Sequence, residues 1–286
     1  MIADKDANVI FFSEILKTDS RFSESCKQIS TILNSFGVEP KFLSCTKDIW
    51  ARDFMPVQVS ETKFIEYRYD PDYLQGKGKD RREKKTYPDI VCDTLNIKTF
   101  KTDIILDGGN VVKSSNAIIL SDKIVEENKR TYNRVELLRK LHELFEVEKV
   151  ILIPWDRECE YGHSDGMLRF IDDDTVLISG LYDTDVDDFK RQLLNPLEKS
   201  NINWKWFKCS NSDEDEDNSV YINFLQTKDL ILIPKLNKEK EDEKAFDQIR
   251  KYFPDYSFKG RIAQVDMTQI VKFGGALNCI SWTIKA

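Results

Sequence analysis

Asp107-Gly108-Gly109-Asn110-Val111-Val112-Lys113-Ser114-Ser115-Asn116-Ala117-Ile118-Ile119-Leu120 joins a polar turn to two short apolar runs separated by Ser-Ser-Asn. Two apolar runs across a short polar turn read as a β-hairpin. Beyond it, Val135, Leu138, Leu141 and Phe145 recur at helical spacing, which predicts an amphipathic helix over Asn133 to Phe145. An apolar run from Lys149 to Pro154 then reads as a third strand. The unit is strand, strand, helix, strand.

The same order recurs on both sides. Toward the N-terminus, Asn8 to Phe12 reads as a strand, Ser23 to Phe36 as a helix with Gly37 as its cap, and Lys41 to Ser44 as the next strand. Phe54 to Val59 and Thr62 to Tyr69 form a hairpin, and Lys101 to Leu106 a strand. Toward the C-terminus, Met167 to Ile171 and Thr175 to Ile178 flank Asp172-Asp173-Asp174 as another hairpin. A helix over Asp185 to Lys199 and a strand over Trp204 to Phe207 follow. Tyr221 to Leu225 and Leu230 to Pro234 pair as strands, Glu241 to Phe253 is the last clear helix, and Arg261 to Val265 is a strand. Hairpins mixed with crossover helices predict an α/β or α+β architecture, read here as one domain over residues 1–286.

Composition narrows the function. Hydrophobic residues make up 41% of the 286 residues, enough for a packed core. The formal net charge of −7 argues against nucleic acid or an anionic membrane as partner, since both reward clustered Lys and Arg. It is compatible with a cationic small molecule. No apolar run approaches the roughly 20 residues that cross a bilayer. The N-terminus begins with charges and lacks the apolar stretch of a signal peptide, so a cytoplasmic location is expected. The cysteines at 26, 45, 92, 159, 209 and 279 include no C-x-x-C pair and read as reduced thiols. Gly76 to Lys85 and Ser212 to Asp217 read as solvated charged loops. Two distant histidines without a Cys/His cluster make no zinc site, and no acidic run matches a calcium loop, so no metal or cofactor is expected.

Four polar clusters stand in otherwise apolar, strand-like surroundings. They are Trp50-Ala51-Arg52-Asp53, Asp107-Gly108-Gly109-Asn110, Gly162-His163-Ser164-Asp165-Gly166, and the glycine-rich approach to Cys279 in Phe273-Gly274-Gly275-Ala276-Leu277-Asn278-Cys279. Together they supply a thiol, an imidazole and several carboxylates. A guanidinium is planar and cationic, and paired carboxylates grip it best. Its central carbon suits attack by a thiolate, and one imidazole can protonate a departing amine and then deprotonate a water. Of the two histidines, His142 sits on the amphipathic helix and reads as a surface residue. His163, flanked by Gly162 and Gly166, stands before a strand. In an extended segment His163 and Asp165 would face the same way.

In their order, these clusters resemble the agmatine deiminases and bacterial-type peptidylarginine deiminases. Tyr221-Ile222-Asn223-Phe224 followed by Leu230 to Pro234 resembles that family too. The resemblance runs from about residue 40 to the end. It implies a pentein fold, a five-bladed pseudo-symmetric α/β propeller with the site in its central channel. It implies Cys279 as nucleophile, His163 as general acid and then base, and Asp53 and Asp165 as ligands of the guanidinium nitrogens. Asp107 stands where agmatine deiminases usually have glutamate, and either orients His163 or lines the channel. Trp50 either packs on the substrate's aliphatic stem or belongs to the core. Arg52 is expected as a structural ion-pair partner. Asn110 and Asn223 are candidate supporting groups, and Arg68 is a candidate for holding a substrate carboxylate.

The residue before the cysteine is Asn278, where agmatine deiminases usually carry histidine, so the substrate stays open among agmatine, arginine and arginine derivatives. The expected reaction is hydrolytic deimination to a ureido product and ammonia. Alternatives are another guanidino-modifying enzyme of the superfamily, an amidinotransferase or dimethylarginine hydrolase, and a non-catalytic ligand-binding pentein. A homo-oligomer is left open.

Overall fold

The structure is a computed structural model describing residues 1–75, 79–183, 188–208 and 218–286. In chain order the strands are β1 (Val9–Ser13), β2 (Lys41–Leu43), β3 (Val57–Gln58), β4 (Phe64–Arg68), β5 (Thr99–Ile105), β6 (Val112–Lys113), β7 (Ala117–Ser121) and β8 (Lys149–Ile153). They continue as β9 (Leu168–Phe170), β10 (Thr175–Ser179), β11 (Asn203–Phe207), β12 (Leu225–Gln226), β13 (Ile231–Lys235), β14 (Ile262–Asp266) and β15 (Ser281–Ile284). They form five three-stranded sheets with one wiring: a middle strand pairs antiparallel with the strand before it and parallel with the strand after it. The parallel pairing needs a crossover, and helices supply it. Arg134–Phe145 serves between β7 and β8, Asp188–Lys199 between β10 and β11, and Glu239–Tyr252 between β13 and β14.

The fifth sheet closes the ring. β15, from the C-terminal end, pairs antiparallel with β1, placing Phe11 opposite Trp282, while β1 pairs parallel with β2. This is the five-bladed α/β propeller of the pentein fold.

Middle strands β7 and β13 are covered on both faces and read as continuous apolar runs without alternation, whereas β4 carries Glu66 and an exposed Arg68. Ile118, Ile119 and Leu120 of β7 are all fully buried, as are Ile231, Leu232 and Ile233 of β13. The helix Arg134–Phe145 is set by local signals. Asn133 caps it and Glu136 returns to the cap backbone, a capping box contributing about 1 kcal/mol.

Several expectations need correction. Tyr221 and Ile222 end a helix, Asn218–Ile222, and the strand begins only at Leu225. Tyr221, Ile222 and Phe224 are all buried, and a short fully buried run carries no period to separate strand from helix. Glu239–Tyr252 is followed by one more short helix, Pro254–Phe258. Lys79–Glu83 is a helical turn, although a loop is expected there from its charge. Residues 76–78, 184–187 and 209–217, which carry the rest of that expected loop, the start of the expected Asp185 helix, and the acidic run from Ser212 to Asp217, lie outside the described residues. Among the described residues, no helix is long and apolar enough to cross a membrane.

Candidate active site

The pseudo-symmetry delivers the candidate residues. In each blade a short turn precedes the first strand, and four of these turns carry the polar clusters. Ala51–Phe54 brings Asp53 before β3 and Gly108–Asn110 follows Asp107 before β6. Ser164–Gly166 carries Asp165, with His163 at its start, before β9. Asn223 follows Asn218–Ile222 before β12, and Cys279 stands two residues before β15. The clusters lie between strands, as their strand-like surroundings imply; the first three are single helical turns and the fourth ends in turn structure. His163 itself is extended, with φ −82° and ψ 128°, but Asp165 is not, so the same-face argument from an extended chain fails. The turn joins the two to one site by another route.

Interlocking backbone bonds fix the cysteine. Its N–H donates to Asn223 Oδ1 at 3.2 Å, and its carbonyl accepts from the Arg52 N–H at 3.0 Å. Cys279 Sγ lies 3.7 Å from Asp165 Oδ2. The same oxygen accepts from Asn278 Nδ2 at 2.6 Å, and Asn278 Oδ1 accepts from Arg52 at 3.0 Å. Burial, reinforced by Asp165 and Asp53, pushes the Cys279 thiol well above its ordinary value. These surroundings therefore favour the thiol over the thiolate.

His163 sits among carboxylates. Its Nε2 is 3.0 Å from Asp107 Oδ2, and its Nδ1 is 3.7 Å from Asp53 Oδ1. Burial opposes its charge, but Asp53, the Asp107 hydrogen bond and Asp165 outweigh it and raise the imidazole to about 10. His163 is thus an imidazolium at neutral pH. Burial raises the Asp53 carboxyl, and although His163 lowers it, the nearby Asp107 and Asp165 help carry it to about 8. Asp53 Oδ1 and Asp107 Oδ1 are buried without a hydrogen-bond partner. A buried acceptor left unmatched costs about 1–3 kcal/mol, which a cationic N–H donor would recover.

Close packing makes this possible. A Cβ on Gly109 would fall 2.5 Å from His163 Nδ1 and 2.6 Å from Asp53 Oδ1. On Gly108 it would fall 2.0 Å from the Arg52 carbonyl. The two glycines let one blade's turn lie against the neighbouring clusters.

A cleft of about 260 Å³ opens over these groups and is lined by Trp50, Asp53, His163 and Cys279. Tyr69, Tyr73, Tyr161 and Phe273 add aromatic walls, and Asp48, Arg81, Lys84 and Glu160 add charge. Trp50 is half-buried and lines the cleft as well as packing on the core. Asp107 holds His163 and also accepts from Tyr73 Oη at 3.1 Å.

Two expected residues stand elsewhere. Asn110 is tied to Ser121, accepting from its N–H at 2.7 Å. Ser121 Oγ in turn donates to the Gly162 carbonyl, so Asn110 steadies the His163 loop from behind. Arg68 is exposed, pairs with Asp70 at 2.8 Å and does not line the cleft. His142 is half-buried, with Nδ1 3.1 Å from the Val147 carbonyl. The sequence assigns no role to Tyr73, which occupies no recognisable motif, to Tyr161 and Phe273, which border the His163 and Cys279 clusters, or to Asn278 as a bridge. Among the described residues no group of His, Cys, Asp and Glu could hold a metal ion, and Cys26, Cys45, Cys92, Cys159 and Cys279 are free thiols.

The model of the Porphyromonas-type peptidyl-arginine deiminase family matches residues 19–284. The chain belongs to that family. Its relatives include a Mycoplasma capricolum protein named "Putative agmatine deiminase", 23% identical over 225 residues, covering 67% of this chain and 60% of that protein. A Pectobacterium atrosepticum protein of the same name is 22% identical over 279 residues, covering 83% and 74%. The chain thus spans about 60% of the length of its Mycoplasma relative. Among solved structures, the C. jejuni agmatine deiminase superposes with a TM-score of 0.77 at 19% identity, covering 100% of this chain and 95% of that one. DDAH from Pseudomonas aeruginosa superposes at 0.58 with 12% identity, covering 98% and 100%. At these identities the likeness shows a common pentein fold.

Proposed function

We propose that this family member hydrolyses a guanidino compound, agmatine or an arginine derivative, to the ureido product and ammonia through a covalent bond to Cys279. The observation that carries this reading is the convergence of a thiol, an imidazolium and the under-bonded carboxylate of Asp53 on one cleft, with a second under-bonded carboxylate, Asp107, bonded to the imidazolium. The site is built for a small cation with N–H donors on several sides.

The guanidinium docks between Asp53 and Asp165, the aromatic walls and Trp50 holding its stem. Its positive charge offsets the carboxylates that keep Cys279 protonated, and the thiol proton leaves to solvent. Sγ bonds to the central carbon, giving a tetrahedral adduct. His163, already an imidazolium, donates its proton to one nitrogen, and the C–N bond breaks to release ammonia. Neutral His163 then takes a proton from water, whose oxygen adds to the same carbon. The C–S bond breaks as the remaining hydroxyl proton passes to solvent, the ureido product leaves and the thiolate is restored. Asp107, bonded to Nε2, keeps the ring in place through both proton transfers. This chemistry needs no cofactor.

The names of the relatives, agmatine deiminase and peptidyl-arginine deiminase, support this substrate class. The test is labelling by 2-chloroacetamidine, an amidinium electrophile. Labelling should fall on the Cys279 peptide and be suppressed by a competing guanidine. Labelling that ignores the competitor would sink the reading. Methylamine release from methylated arginine, without ammonia release from unmethylated guanidines, would favour a dimethylarginine hydrolase instead.

A further inference from the structure

Behind Cys279, on the side away from the cleft, three cationic side chains are buried together. Arg52, Lys113 and Arg169 have side chains only 8%, 4% and 3% exposed. Among the described residues, the carboxylate that pairs with all three is Asp4, from the N-terminal turn Asp4–Asp6. Its Oδ2 is 2.9 Å from Arg169, and its Oδ1 is 3.4 Å from Lys113 and 3.8 Å from Arg52. Burying three cations around one anion is costly unless other negative charge lies within reach. That charge is on the opposite side, in Asp165, Asp53 and the thiolate that Cys279 must become.

Both arginines also grip the frame of the nucleophile. Arg52 bonds Asn278, the residue before Cys279, and through it Asp165. Arg169 donates to the Phe224 carbonyl at 2.8 Å and stacks over the Phe224 ring. Phe224 follows Asn223, whose side chain holds the Cys279 N–H. Asp4 therefore pins two arginines that hold Cys279 from two blades.

We infer that the N-terminal turn is a working part of the site: Arg52 and Arg169 are positioning residues that favour the Cys279 thiolate from behind, and Asp4 sets how strongly they do so. The inference rests on Cys279 being the nucleophile. The charged groups around Cys279 are Asp165, Asp53 and His163 on the cleft side and Arg169 behind, with Arg52 reaching it through Asn278. Burial would raise the Asp4 carboxyl, but Lys113, Arg52 and Arg169 hold it at about 2, so Asp4 is an anion at neutral pH.

The sign of each perturbation follows. Removing the anion with Asp4→Asn leaves the cations uncompensated and favours the thiolate. Removing a cation with Arg169→Gln disfavours it. The readout is the alkylation rate of Cys279 by iodoacetamide at pH 8.5 in the substrate-free protein, followed on the Cys279 peptide by mass spectrometry so that exposed Cys45 and Cys159 do not interfere. The rate should rise about threefold or more in Asp4→Asn and fall by a similar factor in Arg169→Gln. Arg169→Lys should stay near the parent rate. Lys113→Met replaces Arg169→Gln if that variant does not fold by circular dichroism, with the same expected sign. Unchanged rates, or changes of the same sign in the Asp4 and cation variants, would overturn the inference. No substrate enters the assay, so failure of deimination would register separately, as absence of ureido product.

Discussion

The two sides of Cys279 are built from opposite charges, and they tolerate burial differently. In front, Asp53, Asp107 and Asp165 crowd one imidazole, and two carboxylate oxygens there have no hydrogen-bond partner. Behind, Arg52, Lys113 and Arg169 crowd one carboxylate, with the arginines also bonded to Asn278 and Phe224. The back carries excess positive charge, three cations around Asp4, whose Oδ1 also lacks a hydrogen-bond partner but lies 3.4 Å from Lys113 and 3.8 Å from Arg52. The front carries excess negative charge, which a cation with several donors would offset. Unmatched buried polarity is destabilising, so it marks the place where a ligand completes the structure.

Breaking the front should cost activity far more than fold. His163→Asn removes the proton donor and the charge that offsets Asp53. It should lower kcat by about 10²–10⁴ with the protein still folded, checked by steady-state kinetics and a thermal melt. Asp165→Asn keeps the shape but removes the charge beside Sγ that would hold the guanidinium. It should lower kcat/KM by about 10²-fold or more, through weaker transition-state binding. Gly109→Ala drives a methyl into His163 Nδ1 and Asp53 Oδ1, and should lower kcat by about 10²-fold through misplacement alone.

Titration sharpens the comparison further. Asp53 is raised to about 8, so at neutral pH it carries a proton that a docking guanidinium must displace, while Asp107 and Asp165 still hold the charge on His163. Affinity for a non-hydrolysed guanidinium ligand should therefore rise with pH, by up to about tenfold per unit, and level off above about pH 8. Calorimetry in buffers of different ionisation enthalpy should report proton release at pH 7. The stability sign runs the other way. A raised folded value means that the Asp53 contribution is fully present below about pH 4 and lost as pH rises through about 8. The His163 contribution is present below about pH 6.5 and lost through about 10. The smallest effect belongs to Arg68→Ala. Arg68 pairs with Asp70 outside the cleft, so relative rates on arginine and agmatine should not change.

Much of the architecture is legible in the sequence because middle strands are short apolar runs between turn residues and crossover helices have a clear period. β7 and the helix Arg134–Phe145 are set by local patterns, and the turn at Ser114 to Asn116 is written in its residues. Ring closure is not legible. β15 is four residues long and pairs with β1, from the other end of the chain. The site was legible as types of residue and not as geometry. Asp53, Asp107, His163, Asp165 and Cys279 stand out because polar clusters interrupt apolar chain. Their assembly depends on turns shaped by contacts between blades, as Gly108 and Gly109 show. Asp4 gave no signal at all, since its partners lie at positions 52, 113 and 169. Arg68 misled because its charge could be read but its direction could not.

The most direct test is turnover of agmatine, free arginine and a peptide ending in arginine, with ammonia and ureido product both measured, beside Cys279→Ala. At least one substrate should yield the two products in equal amounts, and the variant should lose about 10⁴-fold or more of that rate while remaining folded. Retention of turnover by Cys279→Ala, or silence of the folded parent protein on all three guanidines, would contradict the account.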